Sequence, residues 1–218
     1  MKDSQVHAVL RALKDFSKRQ DLPAVERIER DSRDPFLVLI SCLLSLRTKD
    51  EVTEASSHRL FAVARTPQQM LNLSLPKIRK LIYPVGFYRT KARRIHQICH
   101  HLLGRFRGRV PETLEELLTL PGVGRKTANL VMTLGHKRPG ICVDVHVHRI
   151  SNRLGYVRTR TPFDTEMALR RKLPRRYWME YNALLVSFGQ RICRPVSPWC
   201  SRCPVRSYCA RRGVGRSR

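Results

Sequence analysis

Residues 120 to 131 read LPGVGRKTANLV, and their punctuation decides how the chain is built. A short helix is predicted from Glu112 to Leu120, with acidic residues in its first turn, and a second from Arg125 to about Gly135. Between them stand Pro121-Gly122-Val123-Gly124. Two glycines flanking a valine permit a tight turn with positive φ angles and leave no side chains between backbone and ligand. The amides that follow open a helix, so N–H groups and the positive end of the helix dipole point outward together. Gly122, Val123, Gly124 and Arg125 are therefore candidates to grip a phosphate without reading base sequence. A bare GVG turn is equally compatible with a plain connector between helices. Flanked by LPGVG and RKTA, with a helix on each side, it reads as a helix-hairpin-helix.

Lys126 sits one or two residues into the second helix. At a helix N-terminus, beside Arg125 and partly desolvated, its ammonium form would be disfavoured and the free amine accessible. Such an amine near a sugar C1′ can displace a base and form a Schiff base. The competing reading is a lysine that contacts phosphate. Asp144, in the apolar string ICVDVHVHR (141–149), bears on that choice. A carboxylate there is costly without a partner or a task. It can stabilise a developing oxocarbenium sugar or relay the lysine's proton, and it can equally cap the helix beginning near Val145. His146 is placed to orient neighbouring polar groups, whereas His148 is expected to pack or face solvent.

Cys193, Cys200, Cys203 and Cys209 form C-x6-C-x2-C-x5-C. Four thiolates so spaced suit a tetrahedral zinc or a [4Fe–4S] cluster, and ligand count does not separate the two. Pro195, Pro198 and Pro204 favour a loop wrapped around an object over a zinc ribbon. Arg191, Arg194, Arg202 and Arg206 would turn a basic surface toward phosphate, and a structural role for the metal is expected because the loop lies far in sequence from the hairpin. Cys42, Cys99 and Cys142 lie in apolar segments and read as core residues.

The rest of the chain agrees with a polyanion as partner. Lysine and arginine total 43 against 17 acidic residues, a net charge of +26, and 33 of the 43 are arginine. Residues 151–218 alone hold 16 basic and 3 acidic side chains. Hydrophobic residues make up 42% of the 218 and are spread along the chain, which excludes a disordered basic tail protein. Neither a signal h-region nor a run of about 20 apolar residues is present, so no membrane association and an intracellular location are expected. Helical spacing recurs at Val6 to Phe16, in PFLVLISCLLSL (35–46), and at about 51–64, 75–83, 91–103, 143–154, 163–173 and 177–189. The fold class is all-α.

LPGVGRKTANLV, then VDVHVHR eighteen residues beyond the lysine, then the four-cysteine spacing, closely resemble the endonuclease III family, helix-hairpin-helix DNA glycosylases with an iron–sulfur cluster. The likeness runs from about Pro35 to Cys209. It implies a bifunctional glycosylase and AP lyase that removes oxidised pyrimidines from damaged double-stranded DNA as a monomer. By the same resemblance Lys126 is the Schiff-base nucleophile, Asp144 its partner carboxylate, and the four cysteines hold [4Fe–4S]. Two lobes are implied: a six-helix barrel over 27–138, and a lobe of 1–26 with 139–218 that carries the cluster loop (193–209). Backbone carbonyls of Leu118, Leu120 and Val123 resemble the family's alkali-metal site. The loop around Arg47 and Phe87 resemble wedges that fill the space of an extruded base. The family usually has glutamine at the first position and often leucine at the second. Arginine only donates hydrogen bonds, which favours an acceptor-rich edge such as guanine O6 and N7. A glycosylase for thymine or uracil opposite guanine is thus a second reading. A non-catalytic DNA-binding protein with structural zinc is a third.

Overall fold

The structure, a computed structural model, describes residues 1–18 and 23–218, and every regular element among them is helical. Two compact units form, one from Ala24–Arg138 and the other from Met1–Pro23 with Pro139–Arg218.

The first unit is built around α3 (Pro35–Ser45). Asp34 caps it by accepting the Phe36 amide at 2.8 Å, and Pro35 occupies the first turn, where no amide is needed. Phe36 through Leu44 are all buried, so the helix is apolar all round and is covered on every side. Its neighbours are α2 (Ala24–Ser32), α4 (Asp50–Phe61), α7 (Tyr88–Phe106) and α9 (Arg125–Leu130). Shorter helices α5 (Pro67–Leu71), α6 (Leu75–Ile82) and α8 (Leu114–Leu118) complete the unit. After α9 the backbone widens to a π-turn over Val131–Gly135, with the His136 amide bonded to the Val131 carbonyl.

Two helices here escape the sequence reading. α2 buries only Ala24, Val25 and Ile28 among charged neighbours, too narrow a stripe to stand out. Thr66-Pro67 reads as a turn, but the Thr66 hydroxyl accepts the Gln69 amide and Pro67 opens α5. The helix expected from Glu112 begins at Leu114, where Thr113 caps it.

In the second unit α1 (Val6–Ser17) packs Val6, Val9, Leu10 and Leu13 with α10 (Val145–Leu154) and α12 (Trp178–Arg191). α11 (Pro162–Lys172) starts at a capping box between Thr161 and Asp164. The Tyr181 hydroxyl of α12 meets that of Ser151 in α10 at 3.0 Å, satisfying both inside this core. From Cys193 onward the chain has only two 3-10 turns, Cys200–Arg202 and Arg206–Tyr208.

Candidate active site and cysteine loop

α8 and α9 are joined by a connection whose apolar residues anchor it. Leu117, Leu120 and Val123 are buried in the first unit's core, while Gly122 and Gly124 are exposed. The Val123 amide closes a turn on the Leu120 carbonyl at 3.1 Å. The glycines differ in conformation, contrary to the expectation that both take positive φ. Gly122 has φ +78°, whereas Gly124 caps α9 in an extended conformation at φ −91°. A Cβ on Gly122 would lie 3.1 Å from Arg94, and one on Gly124 would meet nothing. Gly122→Ala is therefore expected to lower stability by about 1–2 kcal/mol. Gly124→Ala should leave it nearly unchanged, since lost chain entropy in the unfolded state offsets a poorer cap. Thermal denaturation of the two variants checks the contrast.

Lys126 stands in the first turn of α9, and the residue is exposed. Neighbours on the same turn, Thr127, Ala128 and Asn129, are buried and fix the helix face. Lys126 thus sits on a turn held by buried neighbours, next to the exposed glycines in sequence. Its charge reaches Cys42 of α3, where it opposes the burial that pushes that thiol up to about 12. Cys42 and Cys99 remain neutral core thiols.

In the second unit, Asp144 caps α10. One carboxylate oxygen accepts the amides of His146 and Val147, each at 2.9 Å, and the residue is only 9% exposed. The helix N-terminus thus supplies the partners that make the burial of this carboxylate affordable. Arg149 donates to His146 Nδ1 at 3.1 Å and to the Cys193 carbonyl at 2.8 Å, so one guanidinium ties the first turn of α10 to the cysteine loop. Gly189 of α12 is where His146 seats: any Cβ there would collide with the imidazole. His148 bonds the Thr165 hydroxyl at 2.6 Å instead of merely packing.

Arg47 and Phe87 come together in the first unit. Both are exposed and left-handed, at φ 53° and 57°, and the guanidinium lies 5.5 Å from the ring centroid. That neighbourhood is invisible in a sequence where forty residues separate them.

Cys193, Cys200, Cys203 and Cys209 line one cavity, walled by Ile150, Leu154, Phe188, Ile192, Trp199 and Val205. Among the described residues no three His, Cys, Asp or Glu side chains close on a point as ligands of a single ion. The four cysteines are nonetheless the residues of this cavity that could hold a metal centre. Burial, with a smaller contribution from the other three cysteines, pushes the Cys203 thiol up to about 11. Cys209 is raised by burial and, to a smaller extent, by Cys193 and Cys200. These thiols are neutral until a cation claims them. Donors toward the sulfurs are already present: Arg153 Nη1 at 3.6 Å from Cys193 Sγ, and the Arg211 amide at 3.3 Å from Cys209 Sγ. Arg153 also bonds the carbonyls of Arg194 and Pro195 at 2.6 Å each, pinning the loop's first limb.

The chain is similar to known proteins. A family model described as HhH-GPD superfamily base excision DNA repair protein matches residues 40–175. Endonuclease III of Thermotoga maritima is 51% identical over 199 residues, covering 89% of this chain and 93% of that protein. The solved structure of a trapped Endonuclease III–DNA covalent intermediate, an estranged-adenine complex, matches with a TM-score of 0.85 at 32% identity over 97% of each chain. A thermostable thymine-DNA glycosylase matches with a TM-score of 0.77 at 25% identity, covering 93% of this chain and 97% of that one. No described helix is long and apolar enough to cross a membrane. With its hairpin inside the matched region and its whole helical order shared, the chain belongs to the HhH-GPD superfamily of base excision DNA repair proteins and, within it, to the endonuclease III family.

Proposed function

We propose that this base-excision glycosylase and AP lyase removes oxidised pyrimidines from damaged duplex DNA, with Lys126 as nucleophile and Asp144 as its partner, acting inside the cell as a monomer. The observation that carries the reading is an exposed lysine on a helix turn anchored by buried neighbours, beside exposed glycines. The chemistry balances without an external co-reactant other than water. The neutral Lys126 Nζ bonds to C1′, and the N-glycosidic electron pair leaves with the base, which takes up a proton. Sugar-ring opening breaks C1′–O4′, O4′ takes up a proton, and an iminium results. Loss of a C2′ proton expels the 3′ phosphate by β-elimination, and water then releases the lysine. Asp144 supplies the negative charge that favours the cationic sugar and receives the amine's proton. Gly122, Val123, Gly124 and Arg125 hold a backbone phosphate, and His146 orients the polar groups at the α10 terminus. The carbonyls of Leu118, Leu120 and Val123 are the candidate seat of an alkali cation that would stiffen the hairpin.

The four cysteines are proposed to hold a [4Fe–4S] cluster, which would fold the basic loop and take no part in the steps above. The four cysteines lining one cavity, in a chain of the endonuclease III family, support it.

Borohydride trapping on duplexes bearing thymine glycol, an abasic site or a G·T mismatch tests substrate and mechanism together. A covalent adduct is expected with the first two. The second reading, a mismatch glycosylase, is favoured by Arg47 and by the likeness to a thymine-DNA glycosylase; base release from G·T exceeding that from thymine glycol would establish it instead. Asp144→Asn separates charge from capping. Asparagine caps as well as aspartate, so stability should hold while base release falls by about 10²–10³-fold. Asp144→Ala should in addition lose about 1 kcal/mol. Single-turnover kinetics beside melting curves distinguish the two effects.

A further inference from the structure

Lys91 is the one buried lysine among the described residues, 5% exposed in the first turn of α7. Its surroundings contain no carboxylate among its hydrogen-bond partners. The ammonium donates to the Leu44 carbonyl at 2.8 Å, the Leu46 carbonyl at 2.6 Å and the Thr48 hydroxyl at 3.2 Å, which uses all three of its protons. Leu44 and Leu46 lie at the C-terminal end of α3, where carbonyls lack intrahelical partners and a cation is favoured. Burial pulls the group down to about 8, which leaves it charged at neutral pH.

Thr48 passes the connection on. Its hydroxyl also accepts the Gly86 amide at 3.2 Å. Gly86 rests so closely on the first loop that a Cβ there would lie 2.5 Å from the Arg47 carbonyl. The residues adjoining these contacts are Arg47 and Phe87, the two exposed left-handed tips already described. Both backbones are held in a conformation that L residues rarely adopt, which persists only where surrounding contacts impose it.

We propose that Lys91 is a positioning residue for base extrusion: it ties the end of α3 to the Arg47 loop and, through Thr48 and Gly86, to the Phe87 loop, so that both tips meet the duplex as one preformed wedge. The inference rests on the reading of Arg47 and Phe87 as wedge elements. Extrusion must overcome stacking and pairing, and a wedge ordered in advance spares the cost of ordering it on the DNA. A substrate that is already single-stranded needs no wedge.

The test compares wild type, Lys91→Met, Thr48→Val and Arg47→Ala/Phe87→Ala on two substrates. Excision of thymine glycol from a duplex requires extrusion; strand cleavage at an abasic site in a single-stranded oligonucleotide does not. Lys91→Met is expected to slow single-turnover duplex excision about tenfold and leave single-strand cleavage unchanged. Equal losses on both substrates, or no loss on either, would overturn the proposal. Adding Lys91→Met to the Arg47→Ala/Phe87→Ala background should cost little more, because the wedge it supports is gone; full additivity would also overturn it. Should Lys91→Met fail to fold, Thr48→Val keeps the lysine and the side-chain volume and should show the same substrate split, whose absence counts against the proposal. A failure of the underlying reading is seen separately, as unimpaired duplex excision by Arg47→Ala/Phe87→Ala alone.

Discussion

Lys126→Gln is expected to eliminate the borohydride-trapped adduct and to reduce strand cleavage at abasic sites by ~10³-fold or more. Glutamine matches the length of most of the side chain but its amide nitrogen has no basic lone pair, so no iminium can form. The fold should not respond. Lys126 is exposed, and its helix turn is anchored by the burial of Thr127, Ala128 and Asn129. Lys126→Arg isolates the other role open to this residue. Arginine keeps the cation next to the hairpin, so duplex affinity and its salt dependence should match wild type. It remains protonated at any working pH and cannot attack. Trapping lost in both variants, with binding weakened only in the glutamine one, would separate covalent chemistry from phosphate contact. An adduct surviving in either variant would place the nucleophile elsewhere.

Local signals account for most of what the sequence makes legible. Asp34-Pro35, Thr161-Pro162 and Asp144 are caps whose chemistry acts within three residues, and each opens the helix that the spacing predicts. The hairpin is legible for the same reason, because Leu120 and Val123 alternate with exposed glycines inside one short connection. Its dihedral detail is not: a glycine that caps a helix and a glycine that turns a corner look identical in sequence, and only Gly122 needs its freedom. α2 is missed because its buried stripe is three residues wide. Contacts between remote loops are missed altogether. Nothing local says that Arg47 lies over Phe87, or that Arg149 joins His146 to the cysteine loop. Lys91 did leave a trace. It occupies the same helical stripe as Ile95, Ile98, Cys99 and Leu102, and a lysine on an apolar stripe asks for buried acceptors.

Cys203→Ala should have the second large effect, and it should fall on the fold of one unit, not on the chemistry. The chain from Cys193 onward has two 3-10 turns and little other regular structure. Its hold on the unit comes from Arg149 and Arg153, from backbone bonds of Ala210 and Arg212 to the end of α10, from the apolar cavity wall and from whatever the four sulfurs bind. A structural four-thiolate metal contributes on the order of 10 kcal/mol. Loss of one ligand that costs even about 3 kcal/mol would lower Tm by roughly 6–12 °C in a chain of this size. Iron content and visible absorbance should fall with it, and duplex affinity should weaken because Arg194, Arg202 and Arg206 lose their fixed positions. Cys42→Ala is the matched control. That thiol is buried in α3, outside the loop, so its removal should cost only the small cavity it leaves and should not alter metal content. Zinc in place of iron, with the same loss of stability in Cys203→Ala, would keep the structural role and overturn the cluster. Full metal content and unchanged Tm in Cys203→Ala would overturn both, because Cys203 would then be no ligand, despite facing the same cavity as the other three cysteines.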